Sequence, residues 1–158
     1  LTPVSISYEY DPCDQAKARE LYIRATTGTY SKAAGEDDTS IANGITGYKG
    51  RVHVNFAAPL TEAFEDSKLL ATEVDRHILT GYRLFPAHYL AYAQWNDADP
   101  QLQVPTAAEV FPAEELAKAQ QEWQRRLDAC PAEHRPYLVQ QYAMPVRNQY
   151  RVKAGLAL

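Results

Sequence analysis

With 158 residues, 46% hydrophobic and 23% charged, the chain has the composition of an ordinary globular protein and room for one domain with a substantial core. A formal net charge of -4 argues against the broad basic surface that non-specific nucleic-acid binding needs, so no nucleic-acid partner is expected. No apolar run approaches the roughly 18 residues of a membrane span. Cys13 and Cys130 stand far apart without CxxC or His/Cys ligand spacing, which favours reduced thiols in a cytosolic protein over a disulfide or a zinc site.

The first element, PVSISYEYDPCD, alternates Val4, Ile6, Tyr8 and Tyr10 with Ser5, Ser7, Glu9 and Asp11. That period of two predicts a strand with the apolar set facing the core and the polar set facing outward. Glu9, Asp11 and Asp14 gather at the strand's carboxyl end, where α/β proteins usually hold ligands. Asp11 or Asp14 equally fits a helix cap, and the three carboxyls lack the completed shell a hard cation requires, so no metal site is assigned. Leu1 is not an initiator methionine and no signal-peptide pattern follows it, so a piece of a longer protein is expected.

Asp14 to Ala25 reads as an amphipathic helix with Ala18, Leu21, Tyr22 and Ala25 inward, ended by Gly28. Thr26 to Gly47 is rich in turn formers and reads as a long loop, either functional or mobile, with mobile the favoured reading and Ile41 and Ile45 as anchors for its far end. In YKGRVHVNFAAP, Val52, Val54 and Phe56 alternate with Arg51, His53 and Asn55, a second strand. Thr61 then caps an expected long helix with Phe64, Leu70, Ala71, Val74, Ile78 and Tyr82 on its apolar stripe, stopping near Tyr82. A short helix containing Pro86 should cross it. The strand-helix-strand order makes a right-handed parallel crossover the default, with Glu9 and Arg51 on one polar face.

Asn96 to Pro112 carries three prolines and reads as a connector. Ala113 to Cys130 sets Leu116, Ala119, Trp123, Leu127 and Cys130 at helical spacing, with the pairs Glu114–Lys118 and Glu122–Arg126 outside. Pro131 ends that helix, and His134 to Ala143 begins another that Pro145 must kink or terminate. The last stretch, RNQYRVKAGLAL, belongs either to a packed helical pair or to an exposed amphipathic arm. The fold expected is α/β: a partial sheet in strand-helix-strand-helix order over residues 1–95, a connector over 96–112 and a helical extension over 113–158.

The chain holds no phosphate-binding glycine loop, no GxSxG and no HExxH, and none of its four histidines is followed by an aspartate after four intervening residues. His53, on the polar side of its strand, is either hydrogen-bonded within the sheet or, with Glu9, the start of a small catalytic site that lacks oxyanion donors.

TPVSISYEYDPCD, GYKGRVHVNFAAPL and DRHILTGYRLFPAHYLAY, in that order, resemble the downstream part of the glycerol-phosphate and lysophosphatidate acyltransferase superfamily, in a bacterial branch. The likeness runs from about Leu1 to Tyr92. Pro3, Val4 and Ile6 match a late strand of the catalytic domain, and Arg51 to Phe56 match the strand that follows it. The resemblance implies phospholipid biosynthesis: transfer of a fatty acyl group from a thioester co-substrate to a glycerol-phosphate-type hydroxyl, with no further cofactor. The general base would be a histidine oriented by an aspartate, on sequence upstream of these strands. The partners implied are that N-terminal catalytic portion, the lipid precursor and a peripheral membrane contact, in the cytoplasm or at the inner membrane. No catalytic residue is assigned here, and Glu9, Lys49, Arg51 and His53 are the substrate-binding candidates. The rival reading is a non-catalytic interaction module that uses a sheet edge or the helical tail.

Overall fold

Val4–Tyr8 (β1) and Val52–Phe56 (β2) form a two-stranded sheet in which Val4 lies opposite Phe56, Ile6 opposite Val54 and Tyr8 opposite Val52. The structure is a computed structural model that describes residues 1–156. The pairing is antiparallel, which corrects the expected parallel crossover. A crossover requires the intervening helix to pack back on the sheet. Here the connection holds two helices, α1 (Asp14–Thr27) and α2 (Glu36–Thr46), and α1 packs against a helix near the carboxyl end instead.

The alternation predicts both strands correctly but assigns the wrong face to the interior. Ser5, Ser7 and Glu9 are buried, whereas Val4, Ile6 and Tyr8 are exposed, as are Val52, Val54 and Phe56 across from them. The cause is the layer packed on the polar side. Helix α3 (Ser67–Gly81) ends against that face at Gly81, where an added side-chain carbon would fall 2.1 Å from Asn55 Nδ2 and 3.1 Å from Ser5 Oγ. Only small sheet residues and a glycine permit this approach. Just beyond it the Arg83 N–H donates to Ser7 Oγ at 2.8 Å. The six side chains of the apolar face stay 38% to 73% exposed.

Two further expectations change, and the short helix at Pro86 is found as expected. The stretch 26–47 is not all loop, since α2 occupies its second half; that helix buries no residue, and Ile41 and Ile45 are exposed instead of anchoring. Helix α3 starts six residues after Thr61, because Asp66 is its cap and accepts the N–H groups of Lys68 and Leu69 at 2.8 Å each. Phe64 therefore precedes the helix. Pro86 opens α4 (Pro86–Gln94), where the missing N–H costs nothing.

The connector contains one short helix, α5 (Ala107–Val110), and leads into α6 (Ala113–Ala129). After the break at Pro131, α7 (Arg135–Lys153) runs through Pro145 without stopping. Helix α7 packs on α1, α3 and α4, and these contacts hold it together despite the backbone hydrogen bond that proline removes. Of the two readings of the tail, the packed helical pair is the one observed. Ala157 and Leu158, at the apolar end of that stretch, lie outside the described residues.

The core joins Tyr10, Ala18, Ala87, Ala91, Trp123, Cys130, Leu138, Tyr142 and Ala143, so strand end, α1, α4, α6 and α7 share one interior. Its alanines let helices approach closely, and Trp123 packs its edge on Tyr142 with centroids 5.0 Å apart. The architecture is mixed α/β with a helical carboxyl-terminal part. Both cysteines are free thiols.

Candidate functional site at the strand end

Beyond Tyr8 the ladder changes character. The Glu9 N–H bonds the Arg51 carbonyl at 2.9 Å and the Tyr10 N–H bonds the Lys49 carbonyl at 3.0 Å, so Gly50 bulges out of the pairing. Gly50 has φ +62°, and a side-chain carbon there would lie 2.8 Å from both Glu9 Oε2 and the Tyr10 ring. Glycine is needed on both counts.

The bulge brings Arg51 onto Glu9. The Arg51 N–H and Nε donate to Glu9 Oε2 at 3.0 and 2.9 Å, and Nη2 donates to Oε1 at 2.9 Å. Nη1 lies 2.8 Å from Glu115 Oε1 on α6, an ion pair. The guanidinium also sits 5.0 Å from the centre of the Phe85 ring. Burial by itself raises the Glu9 pKa, but the Arg51 hydrogen bonds and charge outweigh it and hold the carboxyl below its ordinary value.

This tie forms one wall of a cleft of about 540 Å³, with the stacked Tyr10–Tyr48 pair and the first turns of α6 as the others. Glu9, Glu114, Glu115 and Glu122 line it against Arg51 and Lys118. Four carboxylates facing two cations make the cleft unfavourable to an anion, and an anion reaching Arg51 would have to displace a glutamate.

The candidates do not converge. Lys49 Nζ donates to the Ile45 and Gly47 carbonyls at 3.1 Å each, at the end of α2, and lines a separate groove of about 320 Å³ between α1 and α2. His53 stands opposite Ser7 in the sheet and is half-buried. The Glu9 carboxylate is held by Arg51, so the His53–Glu9 pair is not formed.

The three strand-end carboxylates also part company. Asp11 Oδ1 accepts the Cys13 N–H at 2.8 Å, and its Oδ2 pairs with Lys17 at 2.5 Å. Asp14 is buried with Arg126 Nη1 at 2.5 Å and the Tyr142 hydroxyl at 2.8 Å, both on its Oδ2. The Tyr142 hydroxyl accepts the Asp11 N–H at 2.9 Å, and burial first, then the Asp14 charge, pushes its pKa far up. Arg126, placed outside by its spacing from Glu122, is instead 7% exposed and lies 4.6 Å from the centre of the Tyr10 ring. Periodicity alone could not show this, because Arg126 follows Trp123 by three positions and sits at the edge of the apolar stripe.

Of the remaining histidines, His88 is buried on α4 and its Nδ1 accepts the Phe85 N–H at 3.0 Å. His77 contacts Glu73 at 3.1 Å and His134 packs on the Tyr22 ring. No family model matches the chain, and neither the curated proteins nor the solved structures yield a match. No helix among the described residues is long and apolar enough to cross a membrane.

Proposed function

We propose that the chain is the C-terminal part of a phospholipid-biosynthesis acyltransferase, which moves a fatty acyl group from a thioester to a glycerol-phosphate-type hydroxyl. The His-x4-Asp motif lies outside these residues. The support is the order of the three resembling stretches together with one structural observation, the uncovered apolar face of the β1–β2 sheet. A two-stranded sheet is marginal by itself, and an apolar sheet face is stable when another layer covers it. The catalytic portion would provide that layer, and the lipid precursor would be met at the inner-membrane surface by the whole enzyme.

In this reading the chain braces the end of the sheet and supplies neither a general base nor a phosphate site. Glu9 and Arg51 fix the strand end and join it to α6 through Glu115. Their contribution is positional, since the guanidinium is already occupied by carboxylates. His88 is walled off by burial, and among the described residues no carboxylate is seen to orient His53, which stands opposite Ser7, so neither matches a base-and-orienter pair.

The test is thiol release from an acyl thioester with glycerol phosphate or lysophosphatidate as acceptor. The 158-residue chain should stay at the no-protein background. Turnover above it that disappears in His53→Ala would overturn the proposal and revive a small self-contained enzyme.

A further inference from the structure

Hydrogen bonds from the Glu9 N–H to the Arg51 carbonyl and from the Ala57 N–H to the Pro3 carbonyl fix the phase of the β1–β2 ladder. The odd-numbered residues of β2 bond inward to β1, so the N–H and C=O groups of Val52, Val54 and Phe56 point to the outer edge of the sheet. Among the described residues none of these groups has a hydrogen-bond partner. The edge of β1 differs, because its Tyr8 backbone lies against the Tyr82 hydroxyl and the buried His88 ring. Edge strands are usually blunted by a proline, a charge or a bulge. Val52–Phe56 carries none of these, and Gly50, Arg51 and Pro59 all stand outside it.

This edge is complementary to itself. With two copies antiparallel about Val54, Val54 meets Val54 of the second copy, Val52 meets Phe56 of the second copy, and His53 meets Asn55 of the second copy. The outward-pointing residues then face one another, as the ladder requires, and about six backbone hydrogen bonds form. A twofold axis at His53 would set Phe56 against the Gly50 bulge, and one at Asn55 would set Val52 against Ala58, beyond the strand. Aromatic and β-branched residues such as Phe56 and Val52 make favourable cross-strand pairs, and the nearest charge, Arg51, falls opposite Ala57 of the second copy. The pairing turns a marginal two-stranded sheet into four strands, and its twofold symmetry closes the assembly. We propose that the chain forms a symmetric dimer in which the β2 edge pairs with β2 of a second copy, antiparallel about Val54. The dimer uses the edge of the sheet and leaves its apolar face to another layer, so it stands independently of the acyltransferase reading.

Sedimentation of the 158-residue chain at concentrations up to about 1 mM should show a monomer–dimer equilibrium. Val52→Lys/Phe56→Lys sets like charges opposite each other across the twofold axis, whereas Val52→Lys/Phe56→Glu sets opposite charges there. Within one chain these positions face Tyr8 and Val4, so the two variants differ only where the copies meet. The dimer of the first variant should dissociate at least about tenfold more readily than that of the second. Val54→Pro removes an outward N–H without breaking the bonds to β1 and should leave a folded monomer. Three results would overturn the proposal: a wild type that stays monomeric throughout, equal dissociation of the two charge variants, or a dimer that survives Val54→Pro. Equal dissociation would mean that the copies meet on another surface. Should Val54→Pro fail to fold, the charge variants decide, and the converse holds. None of these outcomes depends on acyl transfer, so the dimer and the acyltransferase reading can fail separately.

Discussion

Arg51 holds Glu9 through its backbone N–H and two guanidinium nitrogens, all at 2.9 to 3.0 Å, across a bulge made by Gly50. The contact links the two strands where their regular pairing ends, and Glu9 is the more buried partner, with 10% of its side chain exposed against 44% for Arg51. A double-mutant cycle with Glu9→Gln and Arg51→Gln should give a coupling of about 1 to 2 kcal/mol, above a surface pair because the geometry is bidentate and charge-assisted. Additive losses in denaturant unfolding would contradict the tie. Because the folded-state pKa of Glu9 is lowered, its stabilisation is complete above the unfolded carboxyl value and is lost as pH falls through the folded one.

Asp14, Arg126 and Tyr142 form the buried polar joint between the start of α1, α6 and α7. Arg126→Met would leave Asp14 without its cation and should cost about 3 to 5 kcal/mol. Tyr142→Phe removes one hydroxyl that serves both Asp14 and the Asp11 N–H, and should cost about 1 to 3 kcal/mol. Unfolding midpoints that stay at the wild-type value in both variants would show that the joint is not formed.

The elements were more legible in the sequence than their partners. Trp123, Ala119 and Cys130 are buried as their helical spacing predicts. The strands fall where the period of two puts them, because that period follows from backbone geometry alone. Which face turns inward does not. Ser5, Ser7 and Gly81 are chosen for close approach and for backbone hydrogen bonds, which a hydrophobicity pattern scores as solvent-facing. The strand pairing direction was hidden for a related reason, since it depends on where α1 packs. At the strand end, the attraction of Glu9 to Arg51 could be read from charge and alternation. Glu115, Phe85 and Arg126 come from distant segments, and nothing local marks their arrival.

Trp123 is 2% exposed and its indole N–H donates to Gln94 Oε1 at 3.1 Å. Trp123→Ala should cost about 3 to 5 kcal/mol, measured in a Trp95→Phe background so that one indole reports. A loss near zero would place the stripe of α6 in solvent.

His88 provides a pH signature. Burial pushes its pKa down to about 4, against the opposing influence of Glu9 and the Tyr8 backbone. The unfolded chain therefore takes up a proton near pH 6.5 that the folded chain refuses until about pH 4. Stability should fall by about 3 kcal/mol as pH drops through that window, and the slope should flatten in His88→Asn. An unchanged slope would mean that the ring is hydrated.

The central claim is that the sheet buries its polar face and leaves its apolar one open. Denaturant unfolding of Ile6→Lys and Val54→Lys, measured on the monomer, tests it most directly. Open positions predict changes within about 1 kcal/mol, while Ser7→Leu on the buried face should cost about 1 to 3 kcal/mol through overpacking. The reverse pattern, with the lysine variants losing several kcal/mol and Ser7→Leu neutral, would contradict it.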